Sequence, residues 1–499
     1  MMIRHARTVI LVCVALFALA GCGSAGKREE GRFDETGSLT NDAEVQETAE
    51  TENPGAGSEP FAQLPIEPEA SGSQMGAARD DESSDVQPGM ETADGEEASV
   101  RLPERYDARE DGRTSPVKNQ GDLGTCWAFA SLLALESSLL PDEAFDFSED
   151  HMSQNPYFAL RQDEGGDYTM SMAYLLAWQG PVLEEEDPYG DGVSPEGLCA
   201  VKHVQEIQIL PEKDREAIRQ AVYTVGGVQS SLYTTMRNDA SSSEYYNRES
   251  RAYCCTEDRD PNHDVVIVGW DDAFPKESFP VEVPGDGAFL CENSWGTQFG
   301  EDGFFYVSYY DENLGKNNIL YSVVEDADNY DRIYQSDRCG WIGQLGYGDE
   351  TAWAVNVYET EAQDECLEAV GFYATDRDTD YELYVVTNVP EDPSADNGAC
   401  FTGRLPVASG HLQYSGYYTV RLEEAVSLAA GTRFGVMMRL TTPGVIHPIA
   451  IEYDAGDGKS RIDLGDGESY ISPDGDQWEN TETNQACNLC LKAYTSGTD

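Results

Sequence analysis

The spacing of apolar residues changes partway along this chain, and that change dictates its architecture. Phe129, Leu132, Leu133 and Leu139 fall at helical intervals, on a segment that opens at Cys126 and is stopped by Pro141. The pattern predicts a second helix from Met170 to Gln179, ended by Gly180-Pro181, and a third from Glu212 to Val222. Strand-like runs then take over at Val265 to Val268, Ala288 to Cys291 and Gly303 to Val307. Beyond residue 328 the alternation is continuous. Ala352 to Tyr358, Tyr381 to Val386, Tyr417 to Leu422 and Phe434 to Leu440 are separated by Gly, Asp and Pro turns. The expected fold is an α+β unit over 101–327 followed by an all-β sandwich over 328–499.

Two segments precede these units. Arg4 and Arg7 followed by the apolar stretch from Val9 to Ala20 read as an export signal over residues 1–22. The stretch ends in Leu19-Ala20-Gly21-Cys22, which resembles the lipobox of bacterial lipoproteins. That resemblance implies a lipidated Cys22 as the mature N-terminus, with a simple cleaved signal or an uncleaved anchor as alternatives. Residues 23–100 are rich in Glu, Asp, Ser, Gly and Ala and poor in large apolar groups, so an acidic, disordered tether is expected. The net charge of −61 extends well into the predicted folded part and argues against nucleic acid and anionic lipid as partners. Membrane contact is expected only through the anchor.

Ten of the twelve cysteines lie beyond the signal and Cys22. If Cys126 stays a thiol, nine are left, so at least one more has no partner within the chain. Cys487 and Cys490 form a CxxC with no second CxxC to complete a zinc site, which favours a local or distant disulfide.

The richest chemistry lies in Gln120-Gly121-Asp122-Leu123-Gly124-Thr125-Cys126-Trp127. A cysteine at a helix start sits where unpaired N–H groups and the positive dipole end favour a thiolate. Such a thiol needs a base. His263 alone among the histidines beyond the signal leads directly into a buried-looking strand. Asn293 could fix its ring, with Trp295 shielding that bond. His151, His203, His411 and His447 are expected to pack or face solvent.

With these motifs on the page, residues 101–325 resemble the papain family of cysteine peptidases. The matches run in the family's order: Leu102-Pro103 to Asp107, Pro116 to Gly121, Gly165-Gly166, Asn262-His263-Asp264, and Asn293-Ser294-Trp295-Gly296. The resemblance implies a papain-like fold of two subdomains, helical and β-barrel-like. Cys126 would be the nucleophile, His263 the proton shuttle and Asn293 its orienter. The Gln120 amide and the Cys126 N–H would form the oxyanion hole. Gly165-Gly166, otherwise an ordinary turn, would pair with an extended substrate. Three departures stand out: Leu123 replaces a family cysteine, residues 271–287 lengthen the gap before Asn293, and residues 23–100 lack the pattern of a helical propeptide.

The C-terminal part, from Trp353 to Thr495, resembles the lectin-like domain that accompanies some prokaryotic peptidases of this type, which implies a possible glycan partner. Trp341 and Trp478 are candidate sugar-stacking rings if exposed. Asp376, Asp378 and Asp380 read either as a Ca²⁺ loop or as solvated surface. The activity implied by the resemblance is hydrolysis of protein or peptide substrates through a thioester, with no metal or organic cofactor, outside the cell. The alternatives are a non-catalytic surface adhesin and a thioester-based transpeptidase.

Overall fold

The computed structural model describes residues 10–12 and 101–498, apart from residue 466. Ile10–Val12 forms a short strand antiparallel to Gly343–Gly346. The rest of the predicted signal, Cys22 and the tether over 23–100 lie outside the described residues.

The first helix is Cys126–Leu139, as its periodicity predicted. It is buried on every side over most of its length, from Cys126 to Ser137, rather than along one stripe. The helix Tyr168–Leu176 and the strands His263–Asp271 and Asn318–Asp326 all pack against it. That makes it a central element, for which amphipathicity is not required. The caps set the other helix starts. Asp167 accepts a hydrogen bond from the Thr169 N–H and begins Tyr168–Leu176, two residues before the predicted start. Asp214 accepts from Ala217 N–H and begins Arg215–Thr224, later than predicted.

The strands of this half form one run in the order Lys202–Ile209, Asn318–Asp326, Val228–Leu232, His263–Asp271, Ala288–Glu292 and Phe304–Ser308. The residues that lengthen the gap before Asn293 connect His263–Asp271 to Ala288–Glu292 in an antiparallel hairpin, and Phe274, Phe279 and Val283 close a small core of their own there.

The C-terminal half is the expected sandwich. Thr351–Glu359, Thr379–Thr387, Arg433–Thr441 and Ser469–Ser472 belong to one six-stranded sheet. Glu365–Ala374, Ser415–Leu428 and Leu491–Gly497 form the opposing layer, and Leu367, Phe372, Leu383, Phe434, Met438 and Ile471 fill the space between. That opposing layer does not stop at the domain boundary. Ser415–Leu428 pairs directly with Lys202–Ile209, so one sheet runs through both halves. The strands meet so closely that a Cβ on Gly416 would lie 2.0 Å from the Ile207 carbonyl oxygen.

Two expectations are corrected here. Cys487 and Cys490 are separate buried thiols rather than disulfide partners, and the Cys490 Sγ lies 3.4 Å from the Gly340 carbonyl oxygen. Trp478 is buried, with its indole N–H donating to the Gly475 carbonyl at 3.1 Å, so it offers no face to a sugar.

Candidate active site

Cys126 is the first residue of its helix and lies almost wholly inside the protein. Thr125, at the N-cap, does not cap the helix with its side chain. Its hydroxyl instead meets the Tyr189 hydroxyl at 2.6 Å. The first turn carries no acidic residue. No side chain of the first turn therefore offsets the positive end of the helix next to the sulfur.

His263 opens the strand His263–Asp271 and is 2% exposed. Its Nε2 lies 2.7 Å from Asn293 Oδ1, and because that oxygen only accepts, Nε2 carries the proton. Nδ1 is therefore the basic nitrogen of the neutral ring. Trp295 stacks on the imidazole with centroids 4.6 Å apart. Burial pushes His263 down to about 4, while Asn293 pulls the other way. The ring is neutral unless a sulfur anion faces it.

The sulfur and imidazole elements are laced together by Gln229. Its Nε2 donates to the Asp264 carboxylate at 3.0 Å and to the Trp127 carbonyl at 3.4 Å. The residue after His263 and the residue after Cys126 therefore share one buried amide.

Gln120 is fixed from two sides. Its Oε1 accepts from the Ser294 hydroxyl at 2.6 Å, in the amide orientation fixed by the Leu123 carbonyl, which only accepts and so must face the Nε2 end. Its Nε2 donates one N–H to the Leu123 carbonyl at 2.8 Å. The other N–H has no hydrogen-bond partner among the described residues. The backbone closes the arrangement: Gln120 N–H donates to Ser294 O at 2.9 Å, and Gly296 N–H to Lys118 O at 3.0 Å. Replacing Gln120 with Ala is expected to lower kcat about 10²-fold with little change in KM, because the contact strengthens only as the oxyanion forms. Steady-state kinetics on a fluorogenic peptide would check it; a change confined to KM would refute the role.

Gly165-Gly166 lies against the segment that carries the cysteine. Gly124 N–H donates to the Gln162 carbonyl at 2.8 Å, just ahead of the glycine pair. A Cβ on Gly166 would fall 2.5 Å from the Trp127 indole. The two loops thus stay joined although Leu123 replaces the family's cysteine. The structure brings Gln120, His263, Asn293 and Trp295 into one bonded cluster, with Cys126 and Gly165-Gly166 on the packed helical side. The other histidines have separate surroundings: His203 stacks on Trp178 at 3.7 Å, and His411 pairs with Asp380 at 2.8 Å.

Sequence reasoning assigned no role to Ser294, Gln229, Lys118 or Tyr189. Ser294 and Lys118 stood inside recognised motifs, where their type hinted at a partner. Gln229 and Tyr189 carried no local signal.

Comparison with known proteins agrees with this geometry. Residues 102–323 match the model of the papain family of cysteine proteases, and residues 333–495 match that of the lectin-like domain. Cysteine proteinase 2 of Zea mays is 30% identical over 232 residues, which are 44% of this chain and 58% of that protein. Cathepsin S of Rattus norvegicus is 28% identical over 228 residues, 42% of this chain and 62% of its own length. The chain thus spans less than two thirds of the curated relatives it matches. Among solved structures, the cysteine protease and lectin-like domains of Cwp84, a surface layer associated protein of Clostridium difficile, are 28% identical with a TM-score of 0.70, covering 80% of this chain and 90% of that one. Residues 102–323 are therefore a papain-family cysteine peptidase domain, and residues 333–495 a lectin-like domain.

Proposed function

We propose that the chain is a cysteine endopeptidase held at the outer cell surface, with Cys126 as nucleophile and His263 as its base. The observation that carries this reading is the buried His263–Asn293 bond beneath Trp295, with the Gln120 amide tied to the next residue, Ser294.

The steps follow from those groups. His263 Nδ1 takes the thiol proton, and the sulfur attacks the peptide carbonyl carbon as a C–S bond forms. The carbonyl oxygen becomes an oxyanion and draws on the free Gln120 N–H and the Cys126 N–H. The imidazolium returns its proton to the leaving nitrogen as the C–N bond breaks. A water then attacks the thioester, giving its proton to His263, and the thiolate leaves. Asn293 keeps the ring aligned in both halves of the cycle.

Cys22 is the proposed lipid attachment site, and the acidic stretch that follows it the tether. The surface association of Cwp84 supports an outer-surface location. A glycan is proposed as a second partner of the lectin-like half. It is supported by a cavity of about 270 Å³ lined from both halves, by Tyr168 and Asn317 of the peptidase half and by Trp341, Gln344 and Asp376 of the lectin-like half. Aromatic faces beside amide and carboxylate groups suit a sugar ring. The deciding experiment is labelling of the folded chain with an epoxide inhibitor of cysteine peptidases, followed by peptide mapping. Modification at Cys126 alone is expected. Failure to label it, with the fold intact, would favour an adhesin. Product analysis with an added amine acceptor separates hydrolysis from acyl transfer.

A further inference from the structure

Away from the cysteine site, three carboxylates converge without a basic partner. Asp150 lies in the short helix Glu149–Ser153, while Asp187 and Asp191 bracket a tight loop. One oxygen of each falls within 4.8 Å of the others. Asp150 is 0% exposed and Asp187 only 1%, whereas Asp191 faces solvent. The groups donating to Asp150 are neutral amides: Gln162 Nε2 at 2.8 Å, Gly190 N–H at 3.3 Å, and the Gln154 side chain. Among the described residues, no Lys or Arg forms an ion pair with any of the three.

Asp187 supplies the second, independent sign. Its Oδ2 is buried and makes no hydrogen bond of ordinary length among the described residues; the donor beside it is the Ser194 hydroxyl, itself buried and unpaired. An orphaned carboxylate oxygen is costly in a protein interior, and a like charge beside it adds to the cost. Among the described residues His151 stands nearby, but its Nδ1 is engaged by the Tyr174 hydroxyl at 2.7 Å, and it forms no ion pair with the three carboxylates.

We propose that Asp150, Asp187 and Asp191 bind a divalent cation of the calcium type. The donors are all hard oxygens, with neither thiolate nor imidazole in the set, which suits Ca²⁺ rather than Zn²⁺ or Cu²⁺. Water fills the remaining positions, entering past exposed Asp191.

The position of the loop gives the cation a consequence. Tyr189 lies between the two loop ligands. Its hydroxyl donates to the Gln120 carbonyl at 3.0 Å and meets Thr125 Oγ1 at 2.6 Å, while its ring meets Phe129 edge-on at 4.8 Å. A cation gripping Asp187 and Asp191 holds Tyr189 against the oxyanion-hole residue and against the residue before Cys126. It is a positioning element for the cysteine site.

The full chain, stripped with EDTA, is titrated with CaCl₂ by calorimetry and with TbCl₃ by tyrosine-sensitised luminescence. One saturable site with Kd on the order of 10⁻⁵ to 10⁻³ M is expected. The Asp191→Asn variant should bind at least about tenfold more weakly. It keeps the Oδ1 acceptor that caps Val193 N–H at 2.9 Å, so the loop still forms. Asp378→Asn, on the lectin-like half, should bind as the parent does. No saturable uptake, or equal uptake in the Asp191→Asn variant, overturns the site. Both readings are independent of peptide cleavage, so they do not stand or fall with the peptidase assignment. In the cleavage assay Ca²⁺ should raise kcat several-fold in the parent and not in Asp191→Asn; binding with an unchanged rate would refute the link through Tyr189.

Discussion

Replacing Cys126 with Ala is expected to reduce kcat for peptide hydrolysis by on the order of 10⁴-fold or more, while the unfolding midpoint barely moves. The substitution removes one sulfur from a site whose walls are fixed by other groups. His263 stays under Trp295, and Gln120 stays on Ser294. What is lost is the atom that forms the acyl bond. His263→Ala should fall by a similar factor, and the double variant should be no slower than either, because nucleophile and base act as a unit. Active-site titration of purified protein guards against traces of a contaminating peptidase. A Cys126→Ala protein that kept a tenth of the parent rate would end the thioester mechanism.

Lys118→Met is expected to be the most destabilising single change in the peptidase half, at about 3–5 kcal/mol. The Lys118 ammonium meets Glu136 at 2.9 Å, Asp146 at 2.8 Å and Glu149 at 2.8 Å. Glu136 and Glu149 are shut away from water, whereas Asp146 is exposed. Burial pulls the ammonium down, but the carboxylates outweigh it and hold it above its ordinary value. Removing the lysine leaves two interior carboxylates facing each other. They must then bind protons or draw in water. Urea unfolding at neutral pH reads the loss, and adding Glu149→Gln to the variant should recover part of it. A loss below about 1 kcal/mol would mean that water already reaches the network.

Much of this was legible in the sequence. The Cys126 helix, the His263 strand and the four strongest runs of the sandwich all carry unbroken apolar periods. The strand Lys202–Ile209 was missed because Lys202, His203 and Gln205 look like surface residues, yet all three are buried. Lys202 and His203 have particular reasons to be inside. Lys202 pairs with Glu143 and Asp326 at 2.6 Å, and His203 stacks on Trp178. Such partners are distant in sequence, so periodicity cannot reveal them. In the site, residue type and order gave the reacting groups. The groups that hold them, Gln229 and Tyr189, act across 35 or more positions and leave no local trace. The acidic cluster around Asp187 was hidden for another reason: in a chain with 93 acidic residues, one more carboxylate attracts no notice until it is found indoors.

The strand pairing between Ser415–Leu428 and Lys202–Ile209 makes the lectin-like half something other than a detachable accessory. Cutting the chain near residue 327 would strip the neighbour from Glu206–Ile209 and leave backbone donors and acceptors open along that border. It would also uncover the face on which Tyr417, Tyr373 and Cys490 complete the interior of the peptidase half. A shortened protein would therefore tend to self-associate through the raw border, and whatever the second half grips must travel rigidly with the cutting site rather than swing on a hinge.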